Sequence, residues 1–243
     1  MASLIAVAIV WQGLALLLDS LLLPTFTETM AACLRLAGDT QLWEALWISN
    51  QAAALGFMCA AIVGIALGLV TGRWRLAEKM TDPYLNILLA VPKASLIPVL
   101  IMATGLGLLS RVLVVFSFSV VSVAINTRAG LRLVDRSWTD MAHSFGANEA
   151  QLWRKVLLPG ALPGIIAGLR LGLIRSVSGM ITVELLLLAL GVGRLIMSYQ
   201  GTFQAANLYA TTLFVVAEAV LLMQALNWVE RRAFAHIGQP VVE

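Results

Sequence analysis

The sequence predicts an all-helical protein that crosses a membrane six times. Of the 243 residues, 60% are hydrophobic and only 12% are charged, and the mean hydropathy is +0.91. A soluble domain needs about a quarter of its residues charged to cover its surface. Because this chain falls far short of that, much of its surface is expected to face lipid. Helices are expected in such a protein, because a helix satisfies its own backbone hydrogen bonds inside lipid, where no water is available.

Six segments are long and apolar enough to cross roughly 30 Å of hydrocarbon as helices. In chain order they are residues 4–23, 48–70, 85–108, 112–133, 161–186 and 208–229. The first segment lacks the basic stretch and the small-residue cleavage site of a signal peptide, so we expect it to be retained as a helix. Residues 1–243 are therefore predicted to form a single transmembrane domain.

Basic residues in the connecting segments are unevenly distributed, and this predicts the orientation in the membrane. The larger group comprises Arg73, Arg75, Lys79, Arg132, Arg136, Arg154, Lys155, Arg231 and Arg232. The smaller group comprises Arg35, Arg111 and Arg194. Loops rich in lysine and arginine remain in the cytoplasm. Both termini and the loop 134–160 are therefore predicted to be cytoplasmic.

The loop 134–160 is a long polar interruption in an otherwise apolar sequence, and it is expected to form two short helices. Ser137 and Asp140 have the spacing of an N-terminal capping pair. Gly146 is the kind of residue that ends a helix in the left-handed conformation. A polar element of this length predicts a partner in the aqueous phase.

The second helix of the loop is predicted over 149–157, because Asn148 and Gln151 repeat the capping pattern. It is expected to stop near Pro159. The apolar side chains that would project from the pair as docking knobs are Met141, Phe145, Leu152 and Trp153. The alternative is an amphipathic pair that lies on the membrane surface.

The same loop resembles the EAA signature of permease subunits of ABC importers: E-A-A, three residues, Gly, nine residues, Ile, one residue, Leu-Pro. The matching positions are Asp140, Met141, Ala142, Gly146, Val156, Leu158 and Pro159. Asp and Val replace Glu and Ile with similar chemistry, whereas Met141 is a departure from the central Ala. Further segments, VPKASLIPVL at 91–100, NTRAGL at 126–131 and LPGALPGIIAGLRLGL at 158–173, are similar to the branch that serves sulfonates, taurine and nitrate.

The resemblance, which extends over about residues 20 to 232, implies a type I ABC importer permease fold. In such permeases the loop forms a coupling helix that sits in a groove on a cytoplasmic ATPase, and Gly146 allows the sharp turn between its two helices. The residues that the resemblance assigns to this contact are Asp140, Met141, Ala142, Phe145, Gly146, Leu152, Val156, Leu158 and Pro159.

The resemblance also implies the partners. They are an ATPase dimer, a second permease copy, and a periplasmic or lipid-anchored solute-binding protein, assembled at a bacterial inner membrane. We expect the two permease copies to be identical, although the sequence leaves a heterodimer open. The chain contains no G-x-x-x-x-G-K-[ST] motif. We therefore expect it to bind no cofactor, with ATP and Mg²⁺ held by the separate ATPase.

Polar residues inside the spans predict a translocation pathway, because each charge there costs roughly 2.5–3.5 kcal/mol on insertion. The candidates are Lys93, Asn126, Arg175 and Glu184. Lys93 lies between Pro92 and Pro98, which interrupt the helical hydrogen bonds. The candidates either line the path or pair helices with one another, and the sequence does not separate these interpretations. A basic lining would suit an anionic solute, although Glu184 and Glu218 weaken that inference.

Small residues recur at every fourth position in the second and fifth spans and in the residues directly next to them. They are Gly64, Gly68 and Gly72, and Gly160, Gly164, Gly168 and Gly172. Such ridges let helix backbones approach closely in lipid. We therefore expect them to pack helices rather than to contact solute.

The resulting hypothesis is a permease subunit that moves a small solute into the cytoplasm by ATP-driven alternating access. One alternative is a membrane scaffold that binds an ATPase without transporting any solute. The other alternative, which ranks below it, is a membrane-embedded enzyme. No HExxH motif or nucleophile elbow supports an enzyme. The net charge of +3 is too small to indicate a nucleic-acid partner, and the two cysteines and two histidines lack metal-ligand spacing.

Overall fold

The computed structural model describes residues 2–18, 20–187 and 190–235, and this part of the chain is helical without any strand. The helices are α1 (Ala2–Leu18), α2 (Phe26–Ala37), α3 (Thr40–Arg73), α4 (Arg75–Ala90), α5 (Lys93–Thr104), α6 (Leu108–Arg132), α7 (Arg136–Ser144), α8 (Glu149–Leu152), α9 (Leu158–Leu187), α10 (Gly191–Gly201) and α11 (Ala205–Ala235). A π-helical turn, Trp153–Leu157, joins α8 to α9. The predicted all-helical class is confirmed.

Among the described residues, four helical stretches are long and apolar enough to cross a membrane. They are Thr40–Arg73, Leu108–Arg132, Glu149–Leu186 and Ala205–Arg232. The pair α4 and α5 provides a fifth candidate, bent by 101° at its break. α1 is apolar but has only 17 residues. The structure thus supports a multi-pass protein, and the count of six spans stays a prediction.

The predicted first span, 4–23, is too long. α1 ends at Leu18, residue 19 lies outside the described part, and α2 begins at Phe26. The start of α2 is a capping box: the Thr25 hydroxyl accepts the Glu28 N–H at 3.2 Å, and the Glu28 carboxylate accepts the Thr25 N–H at 2.9 Å. Sequence analysis missed α2 and α10 because neither contains a long apolar run.

The predicted third span, 85–108, is not one straight helix. α4 ends at Ala90, Val91 is extended with φ −68° and ψ 127°, and α5 starts after Pro92. The reason is local, since proline disfavours helical backbone in the residue before it and cannot donate a helical hydrogen bond. Pro98, by contrast, lies inside α5 without ending it.

The described helices divide into two compact units. The first comprises Met1–Gln51 and Ile181–Leu221, and the second comprises Ala52–Met180 and Leu222–Glu243. Each unit contains parts of long helices that continue into the other. The assignment of the whole chain to one transmembrane domain stays a prediction.

The second unit is built around α6, which packs against glycines of α3 and α9. A Cβ atom at Gly64 of α3 would lie 2.7 Å from the Cβ of Val123, and one at Gly172 of α9 would lie 2.7 Å from the Cγ2 of the same valine. The backbones of Gly130 and Gly164 also meet directly. The packing interpretation of the glycine ridges is therefore confirmed.

Candidate functional site

The polar loop folds as the two-helix hairpin that the sequence predicts, but the N-cap of its first helix lies two residues before the predicted Ser137. Asp135 has an extended backbone and precedes α7, and its carboxylate accepts the N–H of Ser137 at 2.9 Å. This hydrogen bond lowers the pKa of Asp135, so the cap is charged at neutral pH. The predicted pair of Ser137 and Asp140 does not form the cap.

The turn after α7 depends on Gly146, as predicted. Its φ is +73°, in the left-handed region that glycine enters without steric cost. The Gly146 N–H donates to the His143 carbonyl at 2.9 Å, and the Ala147 N–H donates to the Ala142 carbonyl at 3.0 Å. These two bonds are a Schellman motif, which satisfies the last carbonyls of the helix.

The second helix starts as predicted and continues further than predicted. The Asn148 side chain accepts the Gln151 N–H at 2.9 Å, and the Gln151 side chain accepts the Asn148 N–H at 3.0 Å. The expected stop near Pro159 is wrong, because a π-helical turn precedes it and the Leu158 N–H donates to Trp153. This wider turn relieves the clash between the proline ring and the preceding carbonyls. Residues 149–186 therefore form one continuous helical rod.

Burial separates the apolar residues of the hairpin into two sets. Trp138 and Met141 on α7 and Phe145, directly after its last residue, are 50%, 56% and 84% exposed, and we call them the outward stripe. Leu152, expected as an outward knob, is only 1% exposed. It belongs to a core cluster with Leu131, Leu157, Ala161 and Ile165, against which Ala142, Trp153 and Val156 also pack. These inward residues attach the hairpin to the rest of the second unit.

Sequence analysis missed Trp138 as a candidate. Its signal is the spacing of 138, 141 and 145, which places three apolar side chains along one face of a helix. The remaining candidates of the loop lie beside this face or at the start of α9. Asp140 and Leu158 are exposed, and Pro159 is half-buried.

Two of the pathway candidates lie near each other in the second unit. Lys93 is the first residue of α5, immediately after the break, and its Nζ is 5.9 Å from the ring centroid of Phe118 on α6. The guanidinium of Arg175 on α9 is close enough to act electrostatically on Lys93. Among the described residues, neither cation forms an ion pair. Lys93 thus lies at the break without an ion-pair partner among the described residues, and the cation that acts on it, Arg175, has none there either.

Asn126, a third pathway candidate, forms a hydrogen bond within its own helix. Its Nδ2 donates to the Ser122 carbonyl at 2.8 Å. A Cβ added at Gly168 would lie 3.1 Å from the Cβ of Asn126, so the Asn126 side chain lies at the crossing of α6 and α9. This position supports a role in packing, and a role in the pathway stays a prediction.

Glu184, the fourth pathway candidate, is fully buried in the first unit. Its carboxylate accepts the hydroxyl of Ser49 on α3 at 2.8 Å and the N–H of Gly193 at the start of α10 at 3.1 Å. The N–H of Val192 donates to the Ser49 hydroxyl at 3.0 Å. Gly191 has a φ of +59° and lies so close that a side chain there would collide with Ser49 and Glu184.

The carboxylate of Glu184 thus caps α10 from another helix, since free N–H groups at a helix N-terminus favour negative charge. This arrangement supports the second interpretation of Glu184, in which it joins helices. It also explains the Gly-Val-Gly sequence at 191–193, because the backbone must approach the carboxylate closely.

Glu184→Ala is expected to lower the free energy of unfolding by about 3 kcal/mol, because it leaves buried donors unsatisfied. The measurement is the thermal unfolding midpoint in detergent. Glu149→Ala is the matched control: its ion pair with Arg73 spans 3.7 Å at the surface, and we expect a change of at most about 0.5 kcal/mol. Equal midpoints for the two variants would contradict the capping role.

Comparison with known proteins gives a consistent family. The model of the family described as "Binding-protein-dependent transport system inner membrane component" matches residues 60–235. The taurine transport system permease protein TauC of Escherichia coli (strain K12) is 30% identical over 231 residues, which cover 92% of this chain and 84% of TauC. The nitrate import permease protein NrtB of Synechocystis sp. is 26% identical over 192 residues, which cover 79% of this chain and 70% of NrtB.

Solved structures support the same fold. A chain of the MetNI methionine ABC transporter in an inward-facing conformation superimposes with a TM-score of 0.58 at 22% identity, covering 81% of this chain and 94% of that one. An amino acid ABC transporter solved with histidines gives a TM-score of 0.58 at 17% identity, covering 79% of this chain and 92% of the other.

Proposed function

The chain belongs to the family of binding-protein-dependent transport system inner membrane components, and on this premise we propose how it couples ATP hydrolysis to import. It is a permease subunit of an ABC transporter and not an enzyme. As a multi-pass membrane protein of this kind, it works with an ATPase and a solute-binding protein. The contact with the ATPase, the solute and the arrangement of the subunits are the parts that we propose.

The outward stripe of α7 is the proposed contact with the ATPase. Three large apolar side chains, each at least half exposed, follow one face of the hairpin's first helix, whereas Leu152 and Leu157 of the same hairpin are buried. Exposed apolar clusters on an otherwise polar surface mark interaction sites, and aromatic residues dominate the energy of such contacts. This cluster is the observation that carries the proposal. The loop and both termini are then cytoplasmic, as the distribution of basic residues predicts.

Movement of the hairpin would reach the membrane through α9. Leu152 and Leu157 are buried in the core cluster, and the rod 149–186 continues without a break from the hairpin into the span. The glycines of α9 pack this rod on α6. A displacement of the hairpin is therefore transmitted as a displacement of packed helices, which move as a unit because close-packed interfaces do not deform continuously.

The complete transporter is proposed to contain two copies of this chain with a pathway between them. Closure of an ATPase dimer on ATP binding would bring two hairpins together and bias two membrane arrangements, inward-facing and outward-facing. ATP and Mg²⁺ would be bound by the ATPase alone. Chromatography with light scattering on the purified complex, which should contain two permease chains of one sequence, tests the homodimer.

The proposed solute is a small anion, such as a sulfonate, taurine or nitrate. Within the described part of the chain, the support is an unpaired lysine, Lys93, directly after the break between α4 and α5, with a second unpaired cation, Arg175 of α9, that acts on it electrostatically. The start of α5 has no side-chain cap, so its positive end adds to this field. The relatives named above transport taurine and nitrate, which agrees with this chemistry.

Lys93→Met is expected to lower anion uptake at least about tenfold, because a charge-assisted contact contributes roughly 1.5–3 kcal/mol. The assay is uptake into proteoliposomes that contain the permease, its ATPase and its binding protein. Basal ATP hydrolysis should be unchanged. Lys79→Met is the control, since Lys79 is exposed and precedes the break by more than ten residues.

Two results would contradict the anion proposal. One is unchanged uptake in Lys93→Met and Arg175→Met alike. The other is stabilisation of the binding protein, in a thermal-shift screen, only by neutral or cationic compounds. Neither result would affect the assignment of the chain to the permease family.

A further inference from the structure

A groove at the ends of four helices of the second unit is lined by four arginines. Arg73 ends α3, Arg75 starts α4, Arg132 ends α6 and Arg136 starts α7. The groove has a volume of about 670 Å³. We call it the arginine groove. The proposed solute pathway and the outward stripe involve none of these four residues.

The arginine groove keeps an excess of positive charge after its internal ion pairs are counted. Arg132 pairs with Glu78, Arg73 lies 3.7 Å from Glu149, and Glu78 also lies 3.8 Å from Arg128. Four arginines line the groove against two carboxylates, Glu78 and Asp140. Arg75 and Arg136 form no ion pair among the described residues. Both side chains are exposed. Two guanidinium groups are therefore available to an external anion.

The groove lies at the depth along the helices where lipid headgroups are expected. The apolar stretches of α3 and α6 end at Arg73 and Arg132, so the groove begins where the hydrocarbon-crossing segments end. Trp74 and Leu76 do not line the groove but flank Arg75 in the chain, and they are 53% and 71% exposed. The Trp74 ring also contacts Trp153, with 6.4 Å between ring centroids. Tryptophan and arginine are typical of the membrane interface.

These apolar neighbours distinguish a lipid from a soluble anion. A free phosphate would use only the guanidinium groups and the uncapped start of α4, where Trp74 forms no side-chain cap. A lipid would in addition cover the exposed faces of Trp74 and Leu76 with its acyl chains. The combination of unpaired arginines and exposed apolar side chains therefore favours an amphiphile with a phosphate headgroup.

We propose that the arginine groove binds the phosphate headgroup of an anionic membrane lipid, held by Arg75 and Arg136. The site is compatible with the contact proposed for α7. Arg136, Thr139 and Asp140 line the groove. At about 100° of rotation per residue, the outward stripe lies about 180° away from these three residues around the helix axis. The lipid would thus support α7 from behind while its opposite face remains available. The proposal stands independently of the solute and of the ATPase contact.

The test is native mass spectrometry of the intact transporter titrated with phosphatidylglycerol and, separately, with phosphatidylcholine. The double variant R75Q/R136Q is compared with R154Q/K155Q. The control removes the same charge from exposed residues of the same hairpin that do not line the groove. We expect phosphatidylglycerol affinity to fall about 30-fold in R75Q/R136Q, since each basic residue near the surface contributes about fivefold. The control should stay within about threefold of the unchanged protein.

A competition experiment with soluble phosphate compounds distinguishes a lipid headgroup from a free phosphate. Inorganic phosphate or glycerophosphoglycerol, added in large excess, should not displace phosphatidylglycerol from the unchanged protein. Displacement would show that the groove takes a free phosphate and would overturn the lipid assignment. Equal losses in the two double variants would overturn it as well, because they indicate general attraction to the surface. Undiminished binding in R75Q/R136Q, with a normal thermal midpoint, would exclude the groove as the site.

Discussion

Replacement of Gly146 by valine is expected to uncouple ATP hydrolysis from solute uptake while the membrane helices remain folded. Gly146 has a φ of +73°, a conformation that costs an L-residue roughly 1–2 kcal/mol, and more when the side chain is β-branched. The turn would rearrange to avoid this strain. Because the two bonds of the Schellman motif fix the angle between α7 and the helical rod, the outward stripe would then point in a different direction.

The measurement for Gly146→Val is the ratio of solute imported to ATP hydrolysed in proteoliposomes. Gly201→Val is a matched control, since Gly201 has no positive φ and a Cβ there meets no atom within 4 Å. Gly146→Asn provides a second comparison, because asparagine tolerates the left-handed conformation and should retain most of the coupling. Normal transport by Gly146→Val would count against the hairpin as the coupling element.

The double substitution of Trp138 and Phe145 by alanine is expected to weaken binding of the ATPase by at least about 2 kcal/mol, or roughly 30-fold. The two rings are 50% and 84% exposed in this chain, so their removal leaves no cavity in the core. The loss should therefore appear in ATPase affinity and in ATP-driven uptake, and not in the thermal unfolding midpoint of the permease.

Two controls separate binding from folding in this experiment. Leu133→Ala removes an apolar side chain that is 85% exposed just before α7, and ATPase affinity should be unchanged. Leu152→Ala creates a cavity in the core cluster and should lower stability by about 2–5 kcal/mol. Unchanged affinity in the Trp138 and Phe145 variant would place the ATPase contact elsewhere on the chain.

Features that depend on a few neighbouring residues were predictable from the sequence. The left-handed turn at Gly146 and the cap of Asn148 with Gln151 follow from backbone geometry that each residue type prefers. The break at Pro92 follows from the missing N–H of proline. Local chemistry was ambiguous where several residues qualified, and Asp135 formed the cap predicted for Ser137.

Other features depended on partners that lie far apart in the chain. Leu152 and Phe145 are both apolar residues of one hairpin, yet only contact with the core cluster decides that Leu152 is buried. The charge of Glu184 was evident in the sequence, but the Ser49 hydroxyl that it accepts is 135 residues away. Pattern and spacing do not report such contacts.

The sequence alone determined that this chain is helical, membrane-embedded and related to ABC importer permeases, because hydropathy, charge distribution and a spaced loop motif are properties of the chain itself. Tertiary structure decided which side chains of the hairpin face outward, which charge caps a helix and which cations stay unpaired. Those outcomes are set by burial and by the distances between helices. They arise only when segments remote in sequence pack together.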